Sequence, residues 1–165
     1  MSSVRPIVGG LGLTCDEKPP RLCRTVAFII PTLDSGEMLQ QCLDSIRRQD
    51  YDHKCIEVIV CDSGSHDQTL EMAKKSGCRI LNTEGLLAEP AVRVGLAESS
   101  AGANFILAAD NQLPRRDWIR LMMKPFVENA YVAGVFTQVL SAENDSRIVR
   151  YLNQLSGVDP FSWFV

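Results

Sequence analysis

Three short runs constrain this chain more than anything else in it: VAFII at 26–30, IEVIV at 56–60 and NFILAA at 104–109. They are rich in apolar and β-branched residues and lack the apolar/polar alternation of a strand that wets one face. Strands of this kind are covered on both sides. Between them the apolar residues recur with a helical period, as in Met38, Leu39, Cys42, Leu43 and Ile46, so strand and helix alternate. That order specifies an α/β domain with a mainly parallel central sheet flanked by helices.

The remaining elements follow from punctuation. Pro31 should end the first strand, and Asp34 or Ser35 should cap the helix after it. A shorter helix runs to about Ser76, with Gly77 in the stop position, and Arg79 to Leu81 makes a short third strand. Pro90 is expected at the first position of a helix, and Pro114 should open another around Trp118 to Met123, which Pro125 stops or kinks. Tyr131 to Leu140 reads as a fifth strand. A last helix beginning near Asp145 or Ser146 carries Ile148, Val149, Leu152 and Leu155 and ends at Gly157. Residues 1–25, with scattered Gly and Pro, read as a flexible arm, and 26–165 as the folded domain.

Composition narrows the partners. The 165 residues carry 17 Lys plus Arg against 20 Asp plus Glu, a formal charge of −3, and no basic run, so nucleic acid is not an expected partner. With 45% hydrophobic and 22% charged residues, the chain can bury a core. No apolar run approaches the ~20 residues that span a bilayer, which suggests a cytoplasmic protein. The six cysteines form no CxxC pair and no zinc spacing with the two histidines, so reduced thiols are expected, with Cys42 and Cys61 buried.

In parallel sheets ligands bind beyond the carboxyl ends of the strands. Asp34 follows the first strand in PTLDSGE, Asp62 the second in CDSGSHD, and Asp110 the fourth in ADNQLP. If the sheet is ordered 3-2-1-4, these carboxylates share one edge and can meet in a cleft. Such an acidic cleft takes a phosphate through a divalent cation, or else reads ribose and base. Each residue also has a plainer reading. Asp34 suits a helix cap and a ligand contact equally well, and Asp62 with Ser63-Gly64-Ser65 suits turn chemistry. His66 reads as a solvated loop residue, Arg93 as a surface charge, and Trp118 and Phe126 as core.

Taken together, VAFIIPTLDSGEMLQQCLDSIRRQ, IEVIVCDSGSHDQTLEMAKKSG and FILAADNQLPRRDWI resemble the nucleotide-diphospho-sugar transferases of the GT-A fold, and among them the family-two inverting glycosyltransferases. The resemblance covers about Val26 to Ile119. It implies a Rossmann-like GT-A sandwich that moves a sugar from a nucleoside-diphosphate sugar to a hydroxyl acceptor with inversion. By the same resemblance Pro31 and Thr32 line the base pocket, Asp62 with Ser63 binds base or ribose, Asp34 joins the donor contacts, and Arg93 lies near a position that touches the donor phosphates. Asp110 matches the second acid of a D-x-D element that holds Mn or Mg on the diphosphate.

Three departures qualify that picture. Ala108 stands where the first acid of the D-x-D belongs, and Leu33 where an aromatic is common. No segment after Leu140 matches the family's general base, and neither Asp145 nor Asp159 is assigned that role. The resemblance therefore implies a domain incomplete at its C-terminus. The alternative to a working transferase is a nucleotide-sugar-binding module without its acceptor half. The acceptor would be a polysaccharide, lipid or protein glycan of the cell envelope, with membrane association through missing segments at the inner face. A nucleotidyltransferase would need a Gly-rich, Arg-containing loop after the first strand, and a nicotinamide dehydrogenase a GxGxxG; PTLDSGE supplies neither.

Overall fold

The computed structural model describes residues 25–135. Its elements run β1 (Val26–Thr32), α1 (Gly36–Arg47), a 3-10 turn (His53–Cys55), β2 (Ile56–Asp62), α2 (Thr69–Lys75), β3 (Arg79–Asn82), α3 (Ala88–Glu98), β4 (Ala103–Ile106) and α4 (Trp118–Glu128). The four strands are parallel and ordered β3-β2-β1-β4. The chain moves outward from β1 through β2 to β3, then crosses back to place β4 on the other side of β1. Strand order thus reverses between β1 and β4, where open sheets bind ligands.

α1 and α2 pack against each other, while α3 lies against β1 and β2. On the α3 face, Ala27, Ile29, Ile59 and Cys61 pack with Ala91 and Val92. Gly95 is what lets α3 come this close. A Cβ there would sit 2.5 Å from Ile29 Cγ2 and 2.7 Å from Cys61 Sγ. On the opposite face Phe28 and Phe105, paired across β1 and β4, lie 5.2 Å apart and both meet Trp118 at the start of α4. Trp118 and Phe126 are half-buried rather than fully enclosed.

Several boundaries differ from expectation for identifiable reasons. Pro31 does not end β1, which continues to Thr32. Ile29 O accepts from Leu107 N and Thr32 O from Ser63 N, so residue 31 points its nitrogen toward the β4 side. The pairing with β4 stops at Ile106, so the missing N–H costs no ladder bond. β4 stops there too instead of reaching Ala109, although Leu107 and Ala109 remain buried. Pro90 is the third residue of α3, still within the first turn where no intrahelical N–H is needed. Pro114 precedes a turn, and α4 begins only at Trp118. Pro125 sits inside α4, which runs on to Glu128. Tyr131–Val135 form no strand among the described residues, and the rest of the expected fifth strand lies outside them, as do the N-terminal arm and the final helix. Chain contacts separate residues 1–130 from 131–165, and every element above belongs to the first unit.

Candidate functional site

Two loops at the carboxyl edge are built into each other. The entry to α1 presents three consecutive backbone N–H groups, which the helix itself cannot satisfy. Asp34 N donates to Ser65 Oγ at 2.9 Å, Ser35 N to Thr69 Oγ1 at 2.8 Å and Gly36 N to Asp67 Oδ2 at 3.0 Å, acceptors in the loop after β2 and at the first residue of α2. The favour is returned by Asp34, whose Oδ1 accepts from His66 N at 2.7 Å and Asp67 N at 3.3 Å. Asp34 has φ 47°, in the left-handed region that Asp and Asn tolerate better than other side chains. The expected N-cap therefore takes a different form. Ser35 occupies the cap position without a side-chain cap bond, its hydroxyl donating to Leu33 O instead, and α1 is capped from the neighbouring loop.

Asp62 is the centre of the second loop. Its Oδ1 accepts from Thr32 Oγ1 at 3.2 Å and Ser65 Oγ at 2.5 Å, and its Oδ2 from Gly64 N at 3.1 Å and Ser65 N at 3.0 Å. A carboxylate offers about four acceptor positions, and all four are filled. Burial by itself would raise the Asp62 pKa, but the bonds from Ser65, Gly64 and Thr32 outweigh it and hold the carboxyl below its usual value. The bond from the Thr69 hydroxyl, then those from Gly36 N and Thr69 N, hold Asp67 low as well. A third loop joins the cluster: Thr83 N donates to Asp62 O, Gly85 N to Ser63 O, and the Ser63 and Thr83 hydroxyls lie 3.4 Å apart.

Asp110 is different. It lies in the turn after β4 closed by Asn111 N to Ala108 O, it is exposed, and among the described residues nothing donates to its carboxylate. Beneath it Cys42 of α1 is buried, with Sγ 3.9 Å from Ala108 O. Burial first, and the Asp110 charge second, push the Cys42 thiol up to about 12. Cys42, Cys55, Cys61 and Cys78 are free, as expected of reduced thiols.

The structure thus brings Thr32, Asp34, Asp62 and Ser63 into one hydrogen-bonded cluster at the ends of β1 and β2, with Pro31 beside it in β1. Asp110 shares the same edge through β4 but is not bonded to that cluster. Arg93 lies halfway along α3 on its exposed side, and among the described residues no carboxylate pairs with it. Asp67 and Thr69, within the CDSGSHDQT run, carry no sign in the sequence of the bonds they make here to the entry of α1. An Asp two residues ahead of a helix-opening Thr is itself a capping signal, though which helix it serves could not be read locally.

A divalent cation fits this edge in a particular way. No group of three or more His, Cys, Asp or Glu converges among the described residues, so these residues offer no closed cage. The free carboxylate of Asp110 suits the mode in which a cation is held by one or two carboxylates and completed by substrate phosphate oxygens.

The pattern that defines the family described as Glycosyl transferase family 2 matches residues 27–158. Glycosyltransferase AglE of Haloferax volcanii is 31% identical over 99 residues, which are 57% of this chain and 33% of that protein. Mannosyltransferase PcManGT from Pyrobaculum calidifontis, solved in complex with GDP-Man and Mn2+, is 27% identical with a TM-score of 0.52 over 59% of this chain and 30% of its own. TarS of S. aureus superposes with a TM-score of 0.59 over 72% of this chain and 24% of its own; at 19% identity it shows the fold alone, a GT-A-type α/β architecture. The chain spans about a third or less of the length of each.

Proposed function

Since the chain belongs to glycosyl transferase family 2, we propose that its carboxyl edge binds a nucleoside-diphosphate sugar and directs transfer of the sugar to a hydroxyl acceptor with inversion. The observation that carries this is the contrast at the edge: a hydrogen-bonded polar cluster at the ends of β1 and β2, and one carboxylate, Asp110, with no donor among the described residues, across the point where strand order reverses. The N–H groups of Asp34, Ser35 and Gly36 at the entry to α1 are bonded to Ser65, Thr69 and Asp67, so these three are not offered to a phosphate. The PTLDSGE loop carries no basic residue either. A diphosphate here needs positive charge from elsewhere.

In this reading Pro31, Thr32, Asp62 and Ser63 form the floor for base and ribose. The hydroxyls of Thr32 and Ser65 hold the Asp62 carboxylate in place and can rotate away when a base N–H or ribose hydroxyl replaces one of them. Asp110 would hold Mn or Mg, and the cation when bound neutralises charge on the departing diphosphate. Arg93 is the cation of α3 available to a donor phosphate. The acceptor oxygen forms a bond to the anomeric carbon from the face opposite the diphosphate, whose bond to that carbon breaks. The proton passes to a base for which no described residue is a candidate. The acceptor would be a hydroxyl of a polysaccharide, lipid-linked or protein glycan of the cell envelope, met in the cytoplasm at the inner face of the membrane. Among the described residues no helix is long and apolar enough to cross a membrane.

The relative solved with GDP-Man and Mn2+ supports this choice of ligands. Titrating the chain with GDP-mannose and with UDP-sugars, each with and without Mn2+, tests it. Saturable binding that needs the cation supports the reading; no binding of any nucleotide sugar, with Asp62→Ala and Asp110→Ala indistinguishable from wild type, removes it. Binding without transfer or slow donor hydrolysis would favour the donor-binding module over a self-sufficient enzyme.

A further inference from the structure

We propose that Asp34 serves the donor pocket as a positioning residue, holding Asp62 in place through Ser65 rather than touching the donor itself. The inference rests on the donor-site reading above and adds a role within it. Asp34 uses one carboxylate oxygen, Oδ1, for both His66 N and Asp67 N, and no described residue donates to Oδ2. Its backbone N–H donates to Ser65 Oγ, and the same hydroxyl donates to Asp62 Oδ1. One O–H group therefore stands between Asp34 and the carboxylate at the pocket floor. The left-handed backbone at φ 47° aims Asp34's carboxylate and N–H at the same loop.

This arrangement has a specific chemical consequence. A single acceptor oxygen is all that the Asp34 side chain contributes, so the amide of Asn, which keeps that oxygen and tolerates positive φ, should do the same work. A residue that met a cation directly would need its charge. Asp67 is the opposite case. It uses both oxygens, Oδ1 toward Thr69 N and the Thr69 hydroxyl and Oδ2 toward Gly36 N, so an amide there would face a donor with a donor. Gly36 allows this approach, since a Cβ would lie 3.2 Å from Asp67 Oδ2 and 3.3 Å from Thr69 N.

The test combines calorimetric titration of GDP-mannose with Mn2+ and amide exchange of the ligand-free chain, on wild type, Asp34→Asn, Asp34→Ala, Asp67→Asn and Ser65→Ala. Asp34→Asn should bind within about twofold of wild type, while Asp34→Ala, Asp67→Asn and Ser65→Ala should each bind about tenfold more weakly, the scale of one hydrogen bond involving a charged group. Without nucleotide, the Gly64 and Ser65 amides that donate to Asp62 should exchange faster in Asp34→Ala and not in Asp34→Asn. Ser65→Ala removes the hydroxyl that links Asp34 to Asp62, so unchanged binding there overturns the proposal even if Asp34→Ala does not fold. Equal weakening by Asp34→Asn and Asp34→Ala would mean that the charge meets the donor and would overturn the proposal, as would unchanged binding in Ser65→Ala. If wild type binds no nucleotide sugar, the donor-site reading fails. Exchange then decides positioning alone, and unchanged Gly64 and Ser65 rates in Asp34→Ala overturn it.

Discussion

At the ends of β1 and β2 the protein satisfies its own carboxylates, whereas beyond β4 it leaves one for something else. Asp62 is nearly enclosed and receives four donors, and Asp67 ties two helix starts together. Asp110 stands exposed, with no donor among the described residues. An enclosed charge must be paired or the fold suffers, while an exposed one costs the fold nothing and stays available. On the proposed donor-site reading the two regions would divide the labour that a diphosphate ligand demands, one supplying a fixed shape and the other a carboxylate for a cation.

This division can be broken by mutation, and the largest effect should come from the satisfied side. Asp62→Ala leaves the Gly64 and Ser65 N–H groups and the Thr32 and Ser65 hydroxyls without their acceptor. It should cost about 3 kcal/mol of stability in a urea melt. A loss below about 0.5 kcal/mol would show that the cluster is ornamental. Gly95→Ala forces a methyl against Ile29 and Cys61 beneath α3, and overpacking of this kind should cost about 1–3 kcal/mol without altering the loops.

Titration sharpens the same contrast. Asp62 is held below its usual pKa in the fold, so its contribution is complete above the unfolded value, near 4, and fades as pH falls from there through the lower folded value. Acid unfolding followed by circular dichroism should show this limb, and Asp62→Asn should flatten it. At the alkaline end Cys42 titrates near 12 in the fold against 9.0 for an ordinary thiol, so its contribution is full below about 9 and lost as pH climbs toward 12. Native-state alkylation at neutral pH should leave Cys42 and Cys61 unmodified, both being buried, and labelling at the rate of a free thiol would contradict the packing described. Smallest of all should be the stability change in Asp110→Ala, within about 0.5 kcal/mol of wild type.

Much of the fold was legible because unbroken apolar runs have few ways to be buried. VAFII and IEVIV became the two central strands, and the Leu39, Cys42, Leu43 and Ile46 stripe became the buried side of α1. Strand ends were less legible because pairing, not composition, sets them. Pro31 stays in β1 since its nitrogen faces a side where β4 has already ended, and NFILAA stops pairing at Ile106 although its apolar pattern continues. At the site, the strand-end aspartates were visible in sequence, but their separate conditions were not. Asp34 and Asp67 lie 33 positions apart, and only the parallel pairing of β1 with β2 brings their loops together. No local pattern could show that Asp34, suited equally to cap and to contact, also braces a neighbouring loop.

The most direct measurement pairs the Mn2+-dependent affinity for GDP-mannose with the urea midpoint in wild type and Asp110→Ala. The account predicts an unchanged midpoint and cation-dependent binding reduced by at least about tenfold, since a carboxylate that the fold does not use is lost only to the ligand. Equal affinity in the two proteins, with Mn2+ still required, would contradict it by placing the cation somewhere other than Asp110.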